Sequence, residues 1–204
     1  MKQASLSYIP YTVNFLAEQL KQWVSTIYGR TGCLWWGIKY GRNITFRGSP
    51  ILRRHPSSSI TISENCKFNS AEWSNSIGLN RRCMITATRN AKIHIGKDSG
   101  FSATIIAAAG EITIGERVLC GGNCTIVDSD RHPITTEARL KNRKALPKPI
   151  YIGDDVFIGM NCFILKGSNI GNGSVIAANS VVTGTIPPNV IAGGSPATII
   201  KKIP

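Results

Sequence analysis

From Ile152 onward an aliphatic side chain returns at every sixth position, at Ile152, Ile158, Ile164, Ile170, Ile176 and Val182, without a miss. A second regular set lies two residues before these, at Val156, Cys162, Ser168, Ser174 and Ser180. Alternate residues of an extended chain share a face, so both sets point the same way, one bulky and the other small. Most of the aliphatics are followed by a small residue, such as Gly153, Gly159, Gly171 or Ala177, and then by Asp, Asn or another bend former. Each hexad reads as one short strand plus one tight corner. Three hexads close a triangular coil, and stacked coils pair their backbones and bury a column of isoleucines. No coil is stable alone, which is why the period must persist.

The frame continues upstream through Ile114-Gly115, Cys120-Gly121 and Ile126, with Val118 and Cys124 at the small position. It is looser at Ile95-Gly96, Phe101 and Ala107, and a one-residue slip is expected near Gly110. Irregular rungs are expected around Ile62, Phe68, Leu79 and Ile85, with Cys66 and Cys83 turned inward as core fillers. Ahead of the repeat, Val13, Leu16, Leu20, Trp23, Val24 and Ile27 are spaced by three and four, which predicts an amphipathic helix over 11–28, stopped by Gly29 and Gly32. Its length and the charges Glu18 and Lys21 argue against a membrane span, which needs about 20 mostly uncharged residues. Two uses stay open: packing on its own protein or a neighbouring subunit, or lying at a lipid interface with Trp35, Trp36 and the basic balance. The expected organisation is an N-terminal helix and connector over 1–40, a parallel β-helix over 41–192 with an inserted loop at 128–149, and an exit segment over 193–204.

The 204 residues are 42% hydrophobic and 17% charged, with 20 Gly and 10 Pro, enough for one cored domain and unlike a disordered tail. A net charge of +13 raises nucleic acid as a partner. The basic residues argue against it, because Arg53-Arg54, Arg81-Arg82, Lys141 to Lys148 and Lys201-Lys202 are scattered, without interleaved aromatics or a helical or zinc reader. Separate basic spots suit a phosphate-rich small ligand, an acidic glycan or a lipid surface. The six cysteines form no C-x-x-C pair and no secretory signal accompanies them, so a reduced cytoplasm is expected and a zinc site is not.

Between Ile126 and Ile152 the rhythm fails. The stretch is polar, basic and punctuated by prolines, and it is too long for a corner, as a functional loop should be. It opens with Asp128-Ser129-Asp130-Arg131-His132-Pro133. Of the three histidines, His55 lies in a polar loop before the regular coils, and His94 alternates outward between Ile93 and Ile95. His132 is left as the candidate base, with Asp128 and Asp130 as its possible acid partners or as turn formers.

The hexads, the His-Pro loop and the closing Ile191-Ala192-Gly193-Gly194-Ser195-Pro196-Ala197 resemble the hexapeptide-repeat acyltransferases, over roughly residues 60 to 204. The resemblance implies an all-β solenoid, the left-handed parallel β-helix, with a helical segment before it and a catalytic loop ejected from it. It implies acetyl transfer from acetyl-CoA to a sugar hydroxyl of a cell-surface glycan or its precursor, in a cytoplasmic homotrimer whose active sites lie between neighbours. By motif, Gly159, Ala178, Thr183 and Lys201 would line the coenzyme groove, and Ser102 stands nearest to the family's sugar-binding Asn. An imidazole, which changes protonation near neutral pH, suits removal of the acceptor proton, and the thiolate leaves without a covalent enzyme intermediate. The alternatives are N-acylation of a nucleotide-linked amino sugar, a zinc hydratase of the carbonic-anhydrase kind, for which the histidine spacing is poor, and a structural scaffold.

Overall fold

The computed structural model describes residues 8–204; residues 1–7, the start of the expected N-terminal segment, lie outside the described residues. The hexads form short strands that stack into parallel sheets of seven, eight and six strands, here faces A, B and C. Successive strands pass from A to B to C, so the chain winds as a triangular prism. One coil comprises Ile150–Ile152, Phe157–Ile158 and Phe163–Leu165, and the next Asn169–Ile170, Val175–Ile176 and Val181–Val182. Strand Ala197–Lys202 folds back antiparallel on Val190–Gly194 and extends face B.

The interior is a set of columns. On face A, Ile62, Ile95, Ile114, Ile152, Ile170 and Ile186 stand in register. On face C the column is Leu52, Ile85, Ile106, Ile126, Ile164 and Val182. Face B opens with Phe46, Phe68 and Phe101, stacked at 5.3 Å between centroids, then narrows to Cys120, Ile158 and Ile176. All are buried, and each aliphatic so removed from water contributes about 1.5–3 kcal/mol.

The small inward positions also carry hydrogen bonds. Ser168 Oγ donates to the Val182 carbonyl at 3.0 Å and Ser174 Oγ to that of Pro187 at 2.7 Å. Cys124 Sγ meets the Gly159 carbonyl and Cys162 Sγ the Ala177 carbonyl, each at 3.0 Å. Serine and cysteine share these positions on all three faces because both are compact and both offer a proton to the coil above. All six cysteines are buried and unbonded to one another. Burial pushes the Cys66 thiol up to about 11 and that of Cys33 to about 12, so neither supplies a thiolate nucleophile at neutral pH.

At the corner between faces A and B, the third residue after the inward one takes a left-handed conformation. Asn43, Asn65, Asp98, Arg117, Asp155 and Asn189 have φ between 55° and 60°. Asn and Asp tolerate this region. Their side chains form a ladder: Asn43 Nδ2 donates to Asn65 Oδ1 at 3.2 Å, Asn65 Nδ2 to Asp98 Oδ1 at 2.8 Å, and Arg117 forks onto Asp155 at 2.6 and 2.9 Å. The preceding small residue is set by coil spacing, since a Cβ on Gly96 would lie 2.4 Å from the Gly115 backbone.

Three expectations are corrected. Ile106 pairs with Ile126 and takes the inward position assigned to Ala107, because the corner at Ala103, whose φ is 48°, is one residue short; the extra residues then fall between Ile106 and Ile114, around Gly110. Leu79 is not a rung residue; it belongs to an excursion between Lys67–Asn69 and Met84–Ala87, where it and Ile77 lie over Gly122. The first complete turn comprises Lys39–Tyr40, Thr45–Arg47 and Ile51–Arg54.

The helix, α1 (Tyr8–Trp35), runs through both glycines that were expected to stop it. Gly29 is there for close approach: a Cβ would sit 2.3 Å from the Phe46 ring. The true stop is Gly37, at φ 60°, where Gly37 N–H donates to Leu34 O and Ile38 N–H to Cys33 O, at 3.0 and 2.8 Å, the paired bonds of a Schellman end. No helix among the described residues is long and apolar enough to cross a membrane.

Candidate active site

The loop after Thr125–Val127 leaves the prism at the corner between faces C and A and returns at Ile150–Ile152. Its neck is closed by backbone and by one carboxylate. The Asp128 carbonyl accepts from Lys148 N–H at 2.9 Å, joining the two ends of the loop. The Asp128 side chain is fully buried, and its two oxygens accept from Ala109 and Gly110 N–H, both at 2.7 Å. Burial pushes this carboxyl above the ordinary carboxylate range, while the two backbone donors pull the other way. Asp128 therefore clamps the loop to the preceding coil, and its charge is spent on the backbone.

Beyond the neck the chain turns sharply. His132 N–H donates to the Asp130 carbonyl at 2.7 Å across Arg131, whose φ is 65°. This is the rare γ-turn with positive φ, a strained arrangement for a residue with a side chain. It projects His132 into solvent, and among the described residues no side chain hydrogen-bonds to its ring. Asp130 pairs with Lys166 on the next coil, which anchors the turn from below. The short helix α2 (Thr136–Leu140) follows, begun by Thr135 Oγ1 accepting from Ala138 N–H.

A second polar cluster occupies the other excursion, at the corner between faces B and C. Ser102 is buried, and its Oγ accepts from Asn69 Nδ2 at 3.0 Å and Asn75 Nδ2 at 3.1 Å. Arg81 staples the excursion to the corner through the carbonyls of Ala103 and Cys124, each at 3.0 Å, and Thr125 Oγ1 at 2.9 Å. Sequence reasoning found Ser102 but neither amide. Asn69 sits one coil earlier in register with Ser102, and Asn75 lies in the excursion. The signal for both was the lengthened interval between Phe68 and Ile85.

The expected donor residues divide between the same two corners. Gly159 is buried at the B–C corner, and a Cβ there would lie 2.5 Å from Ala178 N, so stacking alone requires glycine. Ala178 is exposed beside it, and Lys201 is exposed on the strand that extends face B. Thr183 is exposed just after Val182, at the C–A corner. One copy of the chain thus carries His132 and Thr183 at one edge of the prism and Ser102 and Ala178 at another, with Lys201 opposite Ile191 toward the A–B end of face B. His55 and His94 join neither group: His55 Nδ1 lies 2.8 Å from Ser57 Oγ in a turn, and His94 is exposed on face A. Among the described residues no group of three or more His, Cys, Asp or Glu could hold a metal ion.

Residues 149–184 match the family model for bacterial transferase hexapeptide (six repeats). A galactoside O-acetyltransferase of Escherichia coli (strain K12) is 42% identical over 115 residues, which cover 55% of this chain and 55% of that protein. One from Lactococcus lactis subsp. lactis (strain IL1403) is 33% identical over 142 residues, 70% of this chain and 62% of that protein. The crystal structure of a maltose O-acetyltransferase from Clostridium difficile 630 is 35% identical over 59% of this chain and 67% of that chain, with a TM-score of 0.52. The chain spans a little over half the length of the curated relatives it matches.

Proposed function

The chain belongs to the hexapeptide-repeat acetyltransferases, built on the left-handed parallel β-helix, and on that premise we propose that it moves acetyl from acetyl-CoA to a sugar hydroxyl. The observation that carries the reading is the clamped loop, with its neck fixed by Asp128 and a strained turn presenting an unencumbered imidazole. His132 takes the proton of the acceptor hydroxyl as the oxygen attacks the thioester carbonyl. The tetrahedral intermediate collapses with loss of the C–S bond, and the coenzyme sulfur receives the proton from His132. Asp128 and Asp130 act as positioning residues, the first on the neck and the second through Lys166. Lys201 meets a coenzyme phosphate as a point charge, and Ser102, with its two amides, takes part in holding the acceptor.

The division of these groups between two edges supports assembly as a homotrimer, with the His132 edge of one copy facing the Ser102 edge of the next. The acceptor is placed as a cell-surface glycan or its precursor, and the enzyme in the cytoplasm, where acetyl-CoA is available. N-acylation of a nucleotide-linked amino sugar is not favoured, because the relatives that match over more than half the chain include galactoside O-acetyltransferases. Purified protein given acetyl-CoA and a panel of galactosides, glucosides and amino sugars tests the reading by thiol release. Turnover with hydroxyl acceptors, lost in His132→Ala, is expected, and turnover confined to amino sugars would overturn it.

A further inference from the structure

The helix α1 closes the first end of the prism. Thr45–Arg47 is the outermost strand of face B, and its free edge is covered by the helix. Gln22 Oε1 accepts from Arg47 Nε at 2.7 Å, Thr26 Oγ1 exchanges hydrogen bonds with the Phe46 backbone at 3.1 Å, and Arg30 donates to Ile44 O at 3.0 Å. The helix therefore lies across the end, along the plane of the coils and crosswise to the prism axis. At about 100° per residue, Gln22, Thr26, Gly29 and Cys33 share one sector, and Val13, Leu16, Leu20, Trp23, Val24 and Ile27 centre about 140° round from it. These six are between 47% and 64% exposed. A helix resting on its own domain turns its apolar stripe inward; α1 turns it out, away from the end that it covers.

We propose that this stripe docks the protein on an anionic lipid bilayer, with α1 lying flat among the headgroups. The coil behind the helix supplies the charge. Residues 36–58 hold five cations, Lys39, Arg42, Arg47, Arg53 and Arg54, and no Asp or Glu. They ring the end: Lys39 stands on face A, Arg42 at the corner between A and B, Arg47 on face B, and Arg53 and Arg54 on face C. Lys39, Arg42 and Arg53 are exposed, and long cationic stems run along an apolar surface to put their charge at its polar margin. Arg42 also reaches Glu64 of the next coil at 3.8 Å, an exposed pair of the weak kind that a lipid phosphate can replace. An interfacial helix ordinarily carries cations on its own polar face. Here that side rests on the prism, so the cations come from the coil beneath it. Glu18, the one acid of α1, lies outside the stripe. Tyr28 and Trp35 flank the stripe, 60% and 84% exposed, and both residue types settle where hydrocarbon meets headgroups. Since α1 is not long and apolar enough to cross a membrane, it lies in the interface and does not span it. Copies set edge to edge with parallel axes bring their helix-covered ends into one plane, and a flat bilayer meets all of them at once.

The dock rests on neither the reaction nor the trimer. The test uses the full chain and vesicles of phosphatidylcholine with or without phosphatidylglycerol, read by co-sedimentation, with light scattering for the mass in solution. Leu16→Gln with Leu20→Gln removes two apolar anchors without adding charge, and should weaken binding to the phosphatidylglycerol vesicles at least about tenfold. Lys39→Gln with Arg53→Gln should weaken it about tenfold, whereas the equal charge loss of Arg143→Gln with Lys144→Gln, in the distant loop, should change it less than about threefold. All of these side chains are exposed, so melting temperature and turnover with a soluble sugar should stay at the wild-type level, and a failed dock is told apart from failed acetyl transfer. Wild type that sediments with neither vesicle, or a leucine variant that binds as wild type does, overturns the dock. Equal binding to neutral and anionic vesicles overturns the anionic surface as the partner. Absent vesicle binding together with a wild-type mass twice that of the leucine variant assigns the stripe to a second assembly set end to end.

Discussion

Asp128→Asn separates two roles for a buried acid at the neck of the loop proposed to carry the base. The aspartate accepts two backbone hydrogen bonds at 2.7 Å. The asparagine is nearly the same size but offers one oxygen, and turns its NH2 toward a backbone donor. Losing one charge-assisted bond and leaving one buried N–H unpaired costs about 2 kcal/mol, which is about thirtyfold in the equilibrium for loop opening. Limited trypsin digestion reads this directly, because the exposed loop beyond the neck carries Arg139, Lys141, Arg143 and Lys144. Cleavage should speed up by about that factor, with a lower Tm. The pH dependence has a defined sign. Burial raises the folded-state pKa above the unfolded value of 3.8, so the contribution of Asp128 is complete below pH 3.8 and declines as pH rises through the raised value. Turnover should drop without moving the pH midpoint of kcat/KM. Unchanged proteolysis with a shifted midpoint would show that Asp128 acts on the imidazole and would refute the clamp.

His132→Ala should lower kcat by 10²- to 10⁴-fold and leave the unfolding free energy within about 0.5 kcal/mol of wild type, since the ring is exposed; a loss of activity that tracks a loss of stability would mark the histidine as structural. Arg131→Gly relieves a positive φ worth about 1 kcal/mol or more, so Tm should hold or rise while turnover falls, and thermal melts with initial rates check both. Ser168→Cys keeps a proton for the Val182 carbonyl and should change stability by less than about 1 kcal/mol, whereas Ser168→Ala should cost about 1–2 kcal/mol by urea titration. Gly96→Ala drives a Cβ to 2.4 Å from the Gly115 backbone, and a loss of about 2–3 kcal/mol in the same titration is expected.

The prism was legible because its physics is local and repeated. A buried aliphatic and a small partner recur wherever a strand meets the next corner, so Ile152 to Val182 announced the coils before any contact was known. Legibility failed where a long-range neighbour decides. Gly29 looked like a helix stop because its reason, the Phe46 ring, lies 17 residues away. Leu79 looked like a rung because an excursion that covers Gly122 must also be apolar. Ala107 was taken for Ile106 because a five-residue corner at Ala103 cannot be told from a later slip by counting alone. The chemistry divides the same way. The His-Pro loop was visible as a break in rhythm, but the amides on Ser102 come from two different segments, and the partner of the Asp128 carboxylate is backbone, which leaves no mark on a sequence.

The same reasoning explains why one prism cannot hold a complete site. Its interior is filled column by column with Ile, Phe, Val, Ser and Cys, and its faces are two-to-six-residue strands whose side chains mostly alternate between core and surface. Such a surface has ridges and no cleft, so concavity must come from segments that leave the coils or from a second prism set against the first. The two large excursions, at 70–83 and 128–149, leave from different edges and bring different chemistry: amide and hydroxyl donors at one, a free imidazole at the other. In the proposed trimer, two copies set edge to edge would form a groove walled by both excursions and lined by the thin corners at Gly159 and Ala178, and on that reading assembly is a condition for catalysis. Dilution below the dissociation constant should therefore abolish turnover while each prism remains folded, and turnover per chain that stays constant through dissociation would show that one edge suffices.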